Sequence, residues 1–186
     1  MEGRAACGVP QKAENREETD QRDENSAAAI MLAFIAKCFL LVNLASVATS
    51  LQMDFNGGLK PNTLVTVYVE IPKDTPRFAV EFEHDKSNVA FEFNPRFNYH
   101  GKLYTACNSM KNNGWGTQID KKDGFPFQLG KKYKIDFECL ENSYKVYVDG
   151  KFYLEYKGPV KPGKYIKWVN VWGTGCHYIA ASPLHS

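Results

Sequence analysis

Alternation of apolar and polar residues runs along the chain from residue 51 onward and sets its expected fold. The segments "TLVTVYVEI" (63–71), "FAVEFEH" (78–84), "NVAFEFNPRF" (88–97), "KLYTACNS" (102–109), "KYKIDFECL" (132–140), "SYKVYV" (143–148) and "KFYLEY" (151–156) alternate and are rich in β-branched and aromatic residues. Successive side chains of a strand point to opposite faces, so a period of two predicts half-buried strands. No helical period competes with it. Gly57-Gly58, Asn98, Gly101, Asn113-Gly114, Asp149-Gly150 and Pro162-Gly163 punctuate the segments. Asp149-Gly150 predicts a two-residue hairpin, because Gly tolerates the positive φ of a type I′ turn. Many short strands at roughly ten-residue spacing predict an all-β fold, an antiparallel β-sandwich of the jelly-roll kind.

Within this pattern "FEFNPRF" (91–97) separates two rows of side chains. Phe91, Phe93, Pro95 and Phe97 share one face, expected to meet the core, and Glu92, Asn94 and Arg96 share the other. A solvated sheet face explains such a polar row, since antiparallel sheets often have one wet side. A binding groove explains it as well, and the flanking residues favour the groove. Trp115 follows the loop "KNNG", has glycine on both sides and has few apolar neighbours, so an exposed indole is expected rather than a core tryptophan. Such an indole stacks on the apolar C–H face of a sugar ring. Asn94, Arg96 and Asn108 supply fixed donors and acceptors for hydroxyl groups, and an arginine can donate to two oxygens at once.

The first fifty residues read differently. Residues 1–26 are polar and charged, bury too little apolar surface to fold alone, and are expected to form a disordered extension. Residues 27–50, "AAAIMLAFIAKCFLLVNLASVATS", form an apolar segment ending in small residues, with Ser46-Val47-Ala48 suited to cleavage after Ala48. This segment is either a signal peptide or signal anchor, or an extension with no export role. The acidic residues before it, the interruption at Lys37 and its distance from residue 1 argue against a signal, and Lys37 and Asn43 make it a poor membrane span. The body, residues 51–186, is expected to be a single domain.

Charge and cysteine usage narrow the function. Residues 1–30 hold 4 Lys+Arg against 7 Asp+Glu, which leaves 19 against 14 for residues 31–186. That mild basic excess contains no basic run, so nucleic acid is not an expected partner. Cys7, Cys38, Cys107, Cys139 and Cys176 form no CxxC pair and no metal spacing with the histidines, so no metal is expected. Free, mostly buried thiols are the default reading, with one internal disulfide as the alternative. No Asn-x-Ser/Thr sequon occurs to support secretion.

Taken together, "FEFNPRF", "ACNSMKNNGWGTQID" and "FPFQLGKKYKIDF" resemble the galectin family of β-galactoside-binding lectins. The similarity runs from "GGLKP" (57–61) through "VYVDGKFYLEY" to "VWGTGCHYIA" and covers roughly residues 51–181. It implies a galectin-type carbohydrate-recognition domain with no cofactor and no enzymatic activity. It also implies a site made of Glu92, Asn94, Arg96, Asn108, Trp115, Gln118 and Asp120. Asn94, Arg96, Asn108 and Trp115 match the family motif. Glu92 stands where the family has His, Gln118 where it has Glu, Asp120 where it has Arg, and Ala106 replaces a usual Val.

The resemblance implies that the family His contacts the axial 4-hydroxyl of galactose, whereas an ionised Glu92 only accepts. The counter-charge for Arg96 is therefore expected to move from position 118 to Glu92, with Asp120 joining the cluster. The expected function is a lectin for galactose-type glycans or glycoproteins with weakened or altered specificity. The alternative is a galectin fold that has lost galactoside binding and acts through protein contacts or a structural role. The resemblance also makes a homodimer an expectation, through terminal strands with exposed edges. Membrane contact is expected only if residues 27–50 are retained. The expected location is extracellular, with a cytoplasmic protein exported by a non-classical route as the alternative. A hydrolase would rest on Asp136, Glu138 and Glu141 in "DFECLE", but that segment lies outside the implied sugar site.

Overall fold

A computed structural model describes residues 50–184 of the chain. The expectations for residues 1–26 and for the apolar segment 27–50 lie outside the described residues, Ser50 apart. All regular structure among the described residues is strand. In chain order these are β1 (Leu51–Asp54), β2 (Thr63–Glu70), β3 (Ala79–Asp85), β4 (Asn88–Tyr99), β5 (Lys102–Lys111), β6 (Gly114–Trp115), β7 (Ile119–Lys121), β8 (Lys132–Cys139), β9 (Tyr144–Val148), β10 (Lys151–Tyr156), β11 (Trp168–Trp172) and β12 (Gly175–Pro183). They form two antiparallel sheets. One runs β1-β11-β3-β4-β5-β6, with β7 also paired to β5, and the other runs β10-β9-β8-β2-β12.

The fold is therefore the antiparallel all-β sandwich that the alternation predicts. Expected strands recur within two residues at either end, and the Asp149-Gly150 turn carries positive φ at both residues, 47° and 74°. Strands β1, β6, β7, β11 and β12 were not among the expected segments. Of these, β11 matters most for the site, because it brings Trp168, Asn170 and Trp172 beside β3.

Phe91 and Phe93 are fully buried and Phe97 is nearly so, which puts the apolar row of "FEFNPRF" in the core. Phe91 stacks on Tyr156 of the opposite sheet at 4.5 Å between ring centroids, and Phe93 meets Phe137 edge-on at 5.5 Å. Each such ring removed from water contributes about 2–3 kcal/mol by area alone, so these contacts clamp β4 against the second sheet. From Val89 to Pro95 every residue of β4 is buried, including those that point away from the core. Among the described residues the cysteines are free thiols: Cys107 and Cys139 are buried and Cys176 half-buried. Burial pushes the Cys107 thiol up to about 12, which keeps it protonated and inert.

Candidate functional site

The outer face of the larger sheet carries a continuous polar row. Strand register aligns Gln52 with Asn170, Asn170 with Glu81, Glu81 with Glu92, and Glu92 with Asn108, across β1, β11, β3, β4 and β5. One step along, Asn94 aligns with Ala106 and Ala106 with Asp120 of β7. Side chains two residues apart on a strand share a face, so Arg96 completes the patch on β4.

Trp115 closes its end. Lys111 pairs with Gly114 across a two-residue turn in which Asn112 and Asn113 have φ of 50° and 64°, a conformation that asparagine tolerates. The turn is held from outside by Asn113 N–H donating to Ser87 O (2.9 Å) and Asn112 N–H donating to the Asn88 side chain (3.0 Å). Trp115 emerges from it on the end strand with 48% of its surface exposed. The Asn108 amide steadies this element by donating from Nδ2 to Gly116 O (3.2 Å).

A chain of hydrogen bonds links the remaining residues. Arg96 donates from Nε to Asn94 Oδ1 (3.1 Å), from Nη1 to Tyr104 OH (3.1 Å) and from Nη2 to Gln118 Oε1 (3.1 Å). Asn94 Nδ2 donates to Glu92 Oε1 (2.9 Å), and Gln118 Nε2 donates to Asp120 Oδ1 (2.7 Å). The guanidinium also lies 5.2 Å from the Tyr99 ring centroid and 5.6 Å from that of Tyr104. All seven predicted residues thus gather at one end of one sheet face.

Two sequence expectations change in detail. The polar row is not a solvated surface: Asn94 is fully buried and Glu92 is 6% exposed. The counter-charge idea also needs a different wiring, since Glu92 bonds to the Asn94 amide, and this amide rather than a direct ion pair relays it to Arg96. Gln118 keeps its hold on Arg96 through a neutral acceptor, and Asp120 joins through Gln118.

Sequence reasoning missed the other half of the face. Glu81 lies directly beside Glu92, Glu83 follows on the same face of β3, and Trp172 Nε1 donates to Glu81 Oε2 (2.8 Å). Arg77 sits 5.2 Å over the Trp172 ring. Burial raises the Glu81 carboxyl to about 7; neighbouring Glu92 and Glu83 push it the same way, while Trp172 and Arg77 oppose. Burial likewise raises Glu92, against the opposing pull of Asn94, Arg96 and Arg77, and it also raises Glu83. The alternation of "WVNVW" was the available signal for β11, and the two acids of "VEFE" were visible on one face.

Asp136 and Glu138 lie on the other sheet and are occupied there. Asp136 pairs with Lys134 Nζ (2.8 Å) and accepts from Thr66 Oγ1 (2.6 Å), and Glu138 accepts from Tyr147 OH (3.1 Å). Among the described residues no group of His, Cys, Asp and Glu has the arrangement of a metal site.

The chain is similar to known proteins in sequence and in fold. The family described as galactoside-binding lectin matches residues 50–175. Galectin-8 of Rattus norvegicus is 37% identical over 111 residues, covering 57% of this chain and 34% of that protein. Galectin-3 of Oryctolagus cuniculus is 32% identical over 117 residues, covering 63% of this chain and 48% of that protein. The chain thus spans a third to a half of the length of these relatives. Among solved structures, a toad ovary galectin in complex with thio-digalactose superposes with a TM-score of 0.66 at 27% identity, over 73% of this chain and all of the other. The chicken liver homodimeric agglutinin CG-16 gives 0.63 at 28% identity, over 72% of this chain and all of the other.

Proposed function

Because the chain belongs to the galactoside-binding lectins, the galectins, we propose that it binds β-galactoside-type glycans with weakened or altered specificity through Glu92, Asn94, Arg96, Asn108, Trp115, Gln118 and Asp120. The carbohydrate-binding domain of this family is a lectin module rather than an enzyme. The observation that carries the finer reading is the bond from Asn94 Nδ2 to Glu92 Oε1. An ionised carboxylate there accepts and never donates, and it occupies an amide hydrogen that a ligand oxygen would otherwise receive. A sugar hydroxyl at Glu92 must donate, and one at Asn94 must use the amide's second hydrogen or displace Glu92. Arg96 and Trp115 support the lectin reading, the first as a fixed cationic donor and the second as an exposed stacking surface.

Retention on lactose-agarose and a glycan array test it. Some retained glycan binding is expected, and silence in both would favour a galectin fold that acts through protein contacts. The complete burial of Asn94 is the observation on that side. Restoring the family residues together by Glu92→His, Gln118→Glu and Asp120→Arg is expected to raise lactose affinity roughly tenfold, the effect of about 1.4 kcal/mol of recovered hydrogen bonding. No gain would refute this account of the substitutions. We also propose an extracellular location and a homodimer, supported respectively by the apolar segment 27–50 and by likeness to the homodimeric CG-16. N-terminal sequencing of the native protein and light scattering test them.

A further inference from the structure

Arg96 carries its charge among neutral partners. Its Nε donates to Asn94 Oδ1, its Nη1 to Tyr104 OH and its Nη2 to Gln118 Oε1, each at 3.1 Å. Two amides and a phenol hold the guanidinium, and Glu92 reaches it only through the Asn94 amide. An ion pair would add Coulomb attraction to such bonds; here the direction of the side chain rests on the shape of its surroundings.

Two tyrosines supply that shape. Register pairs Tyr104 of β5 directly with Arg96 of β4. Its neighbour Thr105 points inward, to Tyr153 OH (2.8 Å), so Tyr104 lies on the outer face beside the guanidinium. It is nonetheless only 7% exposed, with Arg96 Cζ 5.6 Å from its ring centroid. Tyr99 arrives by a different route. Three residues beyond Arg96, regular alternation would send it to the other face, but a register shift between the two residues and a φ of 53° at Asn98 turn it back. Its ring centroid lies 5.2 Å from Arg96 Cζ and 6.2 Å from that of Tyr104, edge-on. The rings brace the cation, and one N–H on Nη1 and one on Nη2 stay available to a ligand.

Resting on the lectin reading above, we propose that Tyr104 is a positioning residue for glycan binding: its hydroxyl and ring, backed by the Tyr99 ring, fix the direction in which Arg96 presents its remaining N–H groups to a ligand hydroxyl.

Tyr104 acts without touching the ligand. When its hydroxyl is lost, the guanidinium can rotate toward water, and a ligand must restore the orientation at the expense of affinity. A carboxylate at position 118 is a second means of fixing the same group, because Gln118 Oε1 already accepts from Nη2. Hydroxyl and carboxylate therefore substitute for each other.

Calorimetric titration with N-acetyllactosamine of Tyr104→Phe and Gln118→Glu, singly and together, tests the proposal. Phenylalanine keeps the ring and removes only the acceptor on Nη1, so Kd is expected to rise about fivefold, the scale of one hydrogen bond, with an unchanged urea midpoint. In the Gln118→Glu background the same replacement is expected to raise Kd by less than about twofold, a rescue that a merely structural tyrosine, or one in contact with the sugar, does not show. In the ligand-free protein, the Arg96 Nε–H signal in proton–nitrogen NMR spectra is expected to exchange with water faster in Tyr104→Phe. An unchanged Kd in that variant, an equal loss with and without Gln118→Glu, or an Arg96 signal that exchanges alike in both proteins overturns the proposal and leaves the lectin reading intact. Absence of binding by the unmodified protein overturns both.

Discussion

Replacing Glu81 by glutamine isolates the energetic cost of an acid beneath the polar face, and its sign is opposite to that of most surface carboxylates. The Glu81 carboxyl moves from 4.5 to about 7 in the folded chain, chiefly through burial. The folded state therefore holds a proton that the unfolded state releases between these values, and stability falls as pH rises through that window. A tenfold change in acidity is worth about 1.4 kcal/mol, so the whole gap corresponds to about 3 kcal/mol. Glu81 is partly reached by solvent, which trims the figure to about 2 kcal/mol. Glutamine keeps an oxygen to accept from Trp172 and has no charge to desolvate. Urea unfolding at several pH values should show the unmodified domain losing about 2 kcal/mol between roughly pH 5 and pH 8.5 relative to the variant, or roughly 8 °C in Tm for a domain of this size. Glu92 and Glu83 titrate in both proteins, so the difference between them belongs to Glu81. Parallel pH profiles for the two would refute the reasoning.

Two further outcomes follow from other elements. Trp115→Ala should weaken glycan binding by roughly tenfold through loss of stacking, yet change unfolding free energy by less than about 0.5 kcal/mol because the indole is exposed; binding titration and urea unfolding check the two parts. Gly173→Ala should destabilise by about 1–3 kcal/mol, since Gly173 has φ of 75° and a Cβ would come within 2.6 Å of Arg77 O; thermal unfolding reads the loss.

The fold was largely legible because its longer strands alternate cleanly and are separated by residues that favour positive φ. Asp149-Gly150 is a local instruction that needs no partner to be read. Strand β11 escaped because "WVNVW" places tryptophans and an asparagine on one face and only two valines on the other, so its alternation runs against the usual expectation that the aromatic face is the buried one. The candidate site was legible where its residues fall on one stretch of chain, as Asn94 and Arg96 do, and where a family motif spaces them, as with Asn108 and Trp115. Glu81 and Trp172 were not, because their neighbourhood depends on cross-strand register, which joins residues 91 positions apart and leaves no trace in local spacing. The wiring of Glu92 to Asn94 instead of Arg96 is a choice among side-chain partners that strand alternation permits but does not make.

Burial of β4 on both of its faces ties recognition to the kinetics of the fold. Opening the floor under Glu92 and Asn94 means pulling Phe91 and Phe93 out of the opposite sheet, so the amides of this strand belong with the last to exchange with solvent water, at a free energy near that of global unfolding. On the lectin reading proposed above, a floor that yields only when the whole domain does cannot adapt its shape to successive ligands. Its selectivity is set once, at folding, and what remains adjustable during an encounter is the exposed rim: the indole at the sheet's end and the protons on its acids.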